Sequence, residues 1–428
     1  MPSSLRCRPT QARFPLRTDK NNQMPSFSDY SISNYGGMVI DQRRTRPYVE
    51  ALTRAIGPQT VVLDIGTGTG FFALLAAKLG AARVYAIEPD SAIDVARLCA
   101  ADNPNAERIR WIQGLSTEID LPERVDVVIG DLHGTMPFFK HNIESLKDAR
   151  IRHLKPGGHL LPRRDILHAA PASASTEYDT LRKPWEHNDH GINLRAARRF
   201  VANTWWKVRG EEVAADALLA SPAQWGTVDY MSAQTSTLRG NADWIIERAG
   251  SMHGYYVWFD TDLGEGPVIS NTPLLPSIAY GRAFFPLEAE VTVEAGDRVQ
   301  VKLGVVAMED DHIYTWDTLV TAVDGSRKAR FRQSTFNAKP IAQRARVASE
   351  QHVPDLSDGG RVDLAILQGM AASQSQGAIA ETLMAQFPTK FPTRPAALNR
   401  VVRVAGSYSH DHPAKSAAID LPADQDRT

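Results

Sequence analysis

VVLDIGTGTG, residues Val61 to Gly70, is the stretch that decides the fold. An apolar, β-branched run reads as a buried strand, and Gly66, Gly68 and Gly70 then open the helical run FFALLAAKLG. Glycines at such a turn let the main chain pass close to a ligand at the carboxyl edge of a parallel sheet. Asp64 sits inside the strand end and Thr67 inside the glycine loop. A second strand, RVYAIEP, ends in Glu88 and Pro89, about 20 residues further on, where a carboxylate accepts both hydroxyls of a ribose.

Outward from this motif the alternation continues through SAIDVARLCAA, RIRWIQG, VDVVIG, an amphipathic segment and LKPGGHLLP. It predicts a doubly wound, mostly parallel α/β sheet over residues 58–163, preceded by a helix from Asp41 to Ile56. After Pro162 the pattern changes to strands such as YYVWFDTDL, EVTVE, RVQVKLGVVA and YTWDTLVTAV, separated by Gly, Pro and Asp turns. An antiparallel β-barrel or sandwich is therefore expected over 164–330, with a largely helical insertion over 178–214. The basic segment Gly325 to Val347 breaks the strand pattern and reads as a solvated linker, its Arg327, Lys328, Arg330 and Arg332 lacking the aromatic interleaving of a nucleic-acid site. Residues 331–428 then comprise linker plus three short helices, with Ser375 or Ser373 capping the second, in the manner of small helical or winged-helix modules that dock a partner or simply pack.

Composition bounds the function classes. A chain of 428 residues exceeds one ordinary core, and 48 basic against 49 acidic residues give no global attraction to nucleic acid or anionic membrane. Cys7 and Cys99, the only cysteines, make neither a disulfide framework nor a four-ligand metal site, so no metal is expected and the cytoplasm is the expected compartment. No apolar run reaches the roughly 18 residues of a membrane helix. Residues 1–25 are basic, polar and without a signal-peptide core, as in a disordered leader; residues 26–57 are expected to supply helices that cover the cofactor.

The glycine loop, the acid after the second strand and the LKPGGHLLP turn together resemble class I S-adenosylmethionine-dependent methyltransferases. A nicotinamide enzyme shares the topology, but the LKPGGHLLP element has no task there. The resemblance implies S-adenosyl-L-methionine as cofactor, its methionine part against the loop and its ribose on Glu88. Helix, cofactor domain and barrel with helical insertion, in that order from about Tyr30 to Val323, resemble the protein arginine methyltransferases. MVIDQRRTRPY, Met38 to Tyr48, is similar to that family's MLKDEVRTLTY, which implies that Met38 packs by the reactive sulfonium and that Arg44 pairs with the cofactor's carboxylate. GLSTEIDLPERVDVVIGD places Ser116 and Thr117 at the adenine edge by the same resemblance.

The acceptor side departs from the family. Gripping a guanidinium calls for two glutamates in the family's SEWMGYxxxYE hairpin, yet GDLHGTMPFFK carries Asp131 in place of the first and Lys140 in place of the second. The histidine of the family's THW tripeptide, partner to the aspartate at Asp41, falls on Ala279. A cation within about 4 Å of a bound guanidinium costs on the order of 4 kcal/mol, roughly a thousandfold in affinity. Lys140 either holds an acidic group of the acceptor or pairs with Glu144 one helical turn on. Asp131 is the expected group for orienting or deprotonating the acceptor, with Asp41 or His133 as a second titratable group; His133 reads either as a base near neutral pH or as a surface residue.

The expected function is methyl transfer to a protein, peptide or small-molecule acceptor, true arginine methylation by Asp131 with Glu144 being one alternative and a non-catalytic cofactor-binding scaffold the other. HGINLRAARRF, His190 to Phe200, resembles the family's dimerisation arm and implies a homodimer, with Trp205 and Trp206 as interface anchors or as the insertion's own core.

Overall fold

The computed structural model describes residues 31–308, 311–338 and 353–408. The leader over 1–25, with Cys7, and much of the linker lie outside the described residues. The chain divides into two compact units, residues 1–340 and 341–428.

In the first unit, α1 (Ile32–Ile40) begins at Ser31, whose hydroxyl accepts from the Asn34 amide. Asp41 separates it from α2 (Gln42–Ala55), which buries Arg44, Thr45, Tyr48 and Leu52 on one face. The Rossmann-like sheet follows: β1 (Val61–Ile65), α3 (Phe71–Lys78), β2 (Arg83–Glu88), α4 (Ala92–Ala100), β3 (Ile109–Gln113), β4 (Val125–Ile129), α5 (Asn142–Arg152) and β5 (Leu154–Leu161). Its strand order is β3-β2-β1-β4-β5, all parallel, so the glycine loop after β1 and the loop after β4 lie side by side at the carboxyl edge. Every residue of β1 is buried, as expected of a central strand covered on both faces.

The chain then enters the antiparallel half through β6 (Arg164–Ala172), α6 (Ser175–Glu186), α7 (Arg198–Val201) and β7 (Trp206–Val208), followed by β8 (Ala223–Asp229), β9 (Leu238–Ile245), β10 (Gly250–Asp262) and β11 (Ile269–Ser270). β12 (Arg282–Val293), β13 (Arg298–Ala307), β14 (His312–Thr321) and β15 (Arg327–Ser334) complete it. One sheet runs β7-β12-β10-β6-β8 with β11 on β10; the other runs β15-β14-β13-β9. A single apolar cluster joins both sheets to the parallel sheet and α2.

Two expectations are corrected. The basic segment is not a linker from its start: Arg327 to Ser334 form β15, an edge strand paired with β14. Ala329, Phe331 and Gln333 turn inward while Lys328, Arg330 and Arg332 stay outside, and charged side chains on an exposed edge discourage pairing with another chain. The insertion is helical only in part, with α6 and the short α7 separated by irregular chain. Trp205 packs on Phe285 and Tyr314 of the barrel, whereas Trp206 on β7 is exposed.

The second unit holds α8 (Asp358–Ala371), α9 (Gln376–Gln386) and α10 (Arg394–Tyr408) around its own apolar cluster. Ser375 caps α9 by accepting from the Ala378 amide at 3.3 Å, as one of the two expected caps. No strand accompanies these helices among the described residues, so they show no wing.

Candidate active site

The site is assembled where the carboxyl edge of the parallel sheet meets α2 and the barrel. Gly66, Gly68 and Gly70 all have positive φ, of 67°, 55° and 86°. A Cβ at these positions would strike Leu132, Tyr35, and Ala96 with Trp111, so the loop is closed to any other residue. The Thr67 hydroxyl donates to Asp64 at 2.6 Å, and the Gly68 amide donates to Glu88 at 2.9 Å. Burial pushes the Asp64 carboxyl up to about 7 against the bond from Thr67. Burial also raises Glu88, opposed by the Asp90 and Gly68 amides and by the Lys140 ammonium. Pro89 follows at the strand end. Ser116 is buried at the 3-10 turn after β3, its carbonyl held by Arg152 at 2.8 Å, while Thr117 beside it is exposed.

Across the loop, a row of buried charges crosses from α2 to the barrel. Arg44 donates to the Met38 carbonyl at 2.9 Å and forms an ion pair with Asp131. His133 donates to Asp131 at 3.3 Å through Nδ1 and to Asp165, on β6, at 2.9 Å through Nε2. Asp165 is fully buried and also accepts from Tyr230 at 2.5 Å and from Thr261 at 2.6 Å. Tyr280 donates its hydroxyl to Asp131. The His133 ring stacks on Phe259 with centroids 5.2 Å apart.

The charges set one another. Burial would lower His133, but Asp165 and Asp131 outweigh it and raise the imidazole to about 9. Burial would raise Asp131, but Arg44, His133 and Tyr280 hold it at about 2. At neutral pH the row therefore reads Arg44 cation, Asp131 anion, His133 cation, with the Asp165 carboxylate at its far end. The expectation of His133 as a surface residue is overturned by its burial, and as a base near neutral pH by its proton: two carboxylates already hold it.

Other expected residues fall around this row. Asp41 accepts from the Ala279 amide at 2.7 Å, so main chain fills the role for which a histidine was sought. Lys140 is exposed at positive φ of 47°, its ammonium 5.4 Å from the Phe139 ring centre. Glu144, the sequence-level partner for Lys140, accepts from Ser236. Asp165, Tyr230, Thr261 and Tyr280 were not singled out by sequence. Asp165 carried a signal: it shares the inward face of β6 with Leu167 and Ala169, where alternation calls for an apolar residue.

Two orphaned buried groups lie at the start of the row: Arg44 Nε and Tyr48 Oη have no hydrogen-bond partner among the described residues. Two donors and a Cβ-free cradle next to Glu88 fit a ligand with a carboxylate at one end and a ribose at the other.

Comparison with known proteins agrees with this geometry. Residues 43–162 match the family model described as ribosomal protein L11 methyltransferase. The human protein arginine N-methyltransferase 2 is 30% identical over 276 residues, 61% of this chain and 64% of that protein. The Anopheles gambiae histone-arginine methyltransferase CARMER is 27% identical over 317 residues, 71% of this chain and 50% of that protein. Among solved structures, the Trypanosoma brucei PRMT1 enzyme-prozyme heterotetrameric complex with AdoHcy superposes with a TM-score of 0.63 at 21% identity, covering 70% of this chain and 96% of that one. Arabidopsis thaliana protein arginine methyltransferase 10 gives 0.62 at 21%, covering 71% and 97%. The fold is that of the protein arginine methyltransferases. In sequence the chain resembles the same group, as a class I methyltransferase-like protein, and it spans 50% and 64% of the length of the two curated relatives named above.

The row makes a stability prediction. His133 rises from its ordinary 6.5 to about 9, so its contribution is complete below pH 6.5 and is lost as pH climbs through 9. Asp131 falls from 3.8 to about 2, so its contribution holds above 3.8 and is lost as pH drops through 2. His133→Asn, which leaves two buried carboxylates without a cation between them, is expected to cost about 3–5 kcal/mol in chemical denaturation. The melting temperature of the unaltered protein should fall between pH 7 and 9 more steeply than that of the variant.

Proposed function

We propose that this protein transfers a methyl group from S-adenosylmethionine to an acceptor other than a free guanidinium. What carries this reading is the state of Asp131: the one acceptor-side carboxylate is occupied by Arg44, His133 and Tyr280, and two of these are cations. A guanidinium needs carboxylate lone pairs and net negative charge around it, whereas this pocket offers one neutralised carboxylate and the Lys140 ammonium at the far end of its loop. A neutral nucleophile, or one presented beside an acidic group, fits better.

On this reading the Gly66 to Gly70 loop, with Asp64 and Thr67, holds the methionine part of the cofactor, Glu88 and Pro89 the ribose, Ser116 and Thr117 the adenine edge, and Arg44 with Met38 the carboxylate and sulfonium end. When bound, S-adenosylmethionine supplies a methyl group that passes to a lone pair of the acceptor as its bond to sulfur breaks, leaving S-adenosylhomocysteine. Asp131, held at about 2, is a poor base and orients the acceptor's proton-bearing atom instead; the proton leaves to solvent. Asp41 positions the barrel turn at Ala279 that walls the acceptor.

A second reading, arginine methylation, is favoured by the names of the relatives. Incubation with radiolabelled S-adenosylmethionine and cell extract, followed by acid hydrolysis, separates the two. Label in a product other than methylarginine is expected; methylarginine would establish the second reading, and tight cofactor binding without any transfer would overturn both in favour of a scaffold.

The cofactor assignment has its own pH signature. A ligand ammonium placed beside Asp64 favours the ionised carboxylate, which forms only as pH rises through about 7. Calorimetric affinity for S-adenosylhomocysteine should therefore rise about tenfold from pH 6 to pH 8, and Asp64→Asn should flatten the curve.

We propose also that the chain pairs with a second copy through its arm, since Ile192 and Leu194 there are exposed, at 58% and 40%. Sedimentation at micromolar concentration should show a dimer that Ile192→Glu with Leu194→Glu converts to monomer; a monomer from the outset would sink the assignment.

A further inference from the structure

The methyl-transfer reading leaves the second unit without a task, and that unit contains an open cleft of about 610 Å³ between the start of α8, the turn before α10 and the exposed side of α10. Its floor is apolar, made by Val362, Phe391 and Ala396. Its walls carry Lys390, Arg400 and Arg403 with the amide of Asn399, and no acidic side chain among the described residues lines it.

The three cations are not equivalent. Arg400 is braced by Asp363 in an ion pair whose partners are largely covered, and Lys390 stands 3.6 Å from Asp358, itself exposed. Arg403 is exposed on α10 and forms no ion pair among the described residues. Two cations are thus held in place by acids outside the cleft while their donors remain in its walls, and a third is free to reach a ligand. Arginine donors in a fork suit carboxylates, and an apolar floor suits one aliphatic or aromatic side chain.

We infer that this cleft binds an acidic peptide segment of a partner protein, seating one apolar side chain on Phe391 and Ala396 with flanking carboxylates on Arg403, Arg400 and Lys390. Charge complementarity selects this occupant over nucleic acid. Over residues 353–408, Asp355, Asp358, Asp363 and Glu381 oppose Arg361, Lys390, Arg394, Arg400 and Arg403, a net of one positive charge. So small an excess gives a polyphosphate little attraction, because binding to phosphate backbones grows with the number of cations that displace counterions. Arg403, the cleft cation with no acidic partner among the described residues, stands beside an apolar floor, which a peptide uses and a phosphate backbone does not.

The test uses the full chain and a fluorescein-labelled twelve-residue peptide in which Leu and Phe alternate with pairs of Asp and Glu. Controls are the same peptide with Lys at every acidic position and a twelve-nucleotide single-stranded RNA. Saturable anisotropy with the acidic peptide is expected, weakening as salt rises. Arg403→Glu should weaken it at least about tenfold, and Ala396→Glu, which places a carboxylate at the floor, by a similar factor. Arg403 and Ala396 are exposed, so circular dichroism melts of both variants should match the unaltered chain. Absence of saturable binding, indifference to both substitutions, or tighter binding of the RNA or the Lys peptide overturns the inference.

Discussion

The alternating row Arg44, Asp131, His133, Asp165 is the constraint on which the first unit turns. Each of these groups is buried, and any one of them alone would carry a desolvation penalty of several kcal/mol. Set in alternation, each charge has an opposite neighbour, and Tyr230, Thr261 and Tyr280 supply hydroxyls to the remaining carboxylate lone pairs. The row draws on α2, the loop after β4, β6, the ends of β8 and β10, and the turn before β12. The cofactor half and the barrel are therefore joined by electrostatics as well as by their shared apolar core.

That coupling extends along the loop after β4. Beyond the ion pairs, Thr135 donates to the Tyr280 carbonyl at 2.9 Å, Asn271 donates to the Thr135 carbonyl at 3.1 Å, and Asn142 donates to the Pro137 carbonyl at 2.8 Å. A loop bonded at this many points holds the Asp131 carboxylate against Arg44, His133 and Tyr280. The same bonding limits what the carboxylate can do: a group held by two cations is ionised, weakly basic and short of lone pairs. Asp131 consequently differs from a free clamp carboxylate through its company more than through its missing methylene.

How much of this was legible in the sequence depends on the range of each interaction. The glycine loop and its strand are a contiguous pattern whose reason is local, a backbone that must take positive φ beneath close neighbours, so Gly66 to Gly70 could be read directly. The caps at Ser31 and Ser375 are equally local, though only the second was anticipated. β15 was misread because its basic outer face was given more weight than the period-2 burial of Ala329, Phe331 and Gln333. Asp165 was detectable as an acid on an apolar strand face, but its partner lies 32 residues earlier in a loop, and nothing in the spacing connects them. Asp41 shows the limit of matching side chains: the position opposite it lacks a histidine, yet the Ala279 amide takes the bond, and a main-chain donor leaves no trace in residue identity.

The second unit is built on different terms. Its core consists of Val362, Ile366, Ile379, Leu383, Val401 and their neighbours, contributed by three helices close in sequence, and its described residues hold no buried charge row. Contacts of short range and apolar chemistry tolerate substitution on the outer faces away from the covered Arg400–Asp363 pair. In the first unit the reverse holds: replacing His133 strands two buried carboxylates, so the charges around Asp131 depend on one another. A chain built this way can alter what its small helical unit recognises while the geometry around Asp131 stays fixed.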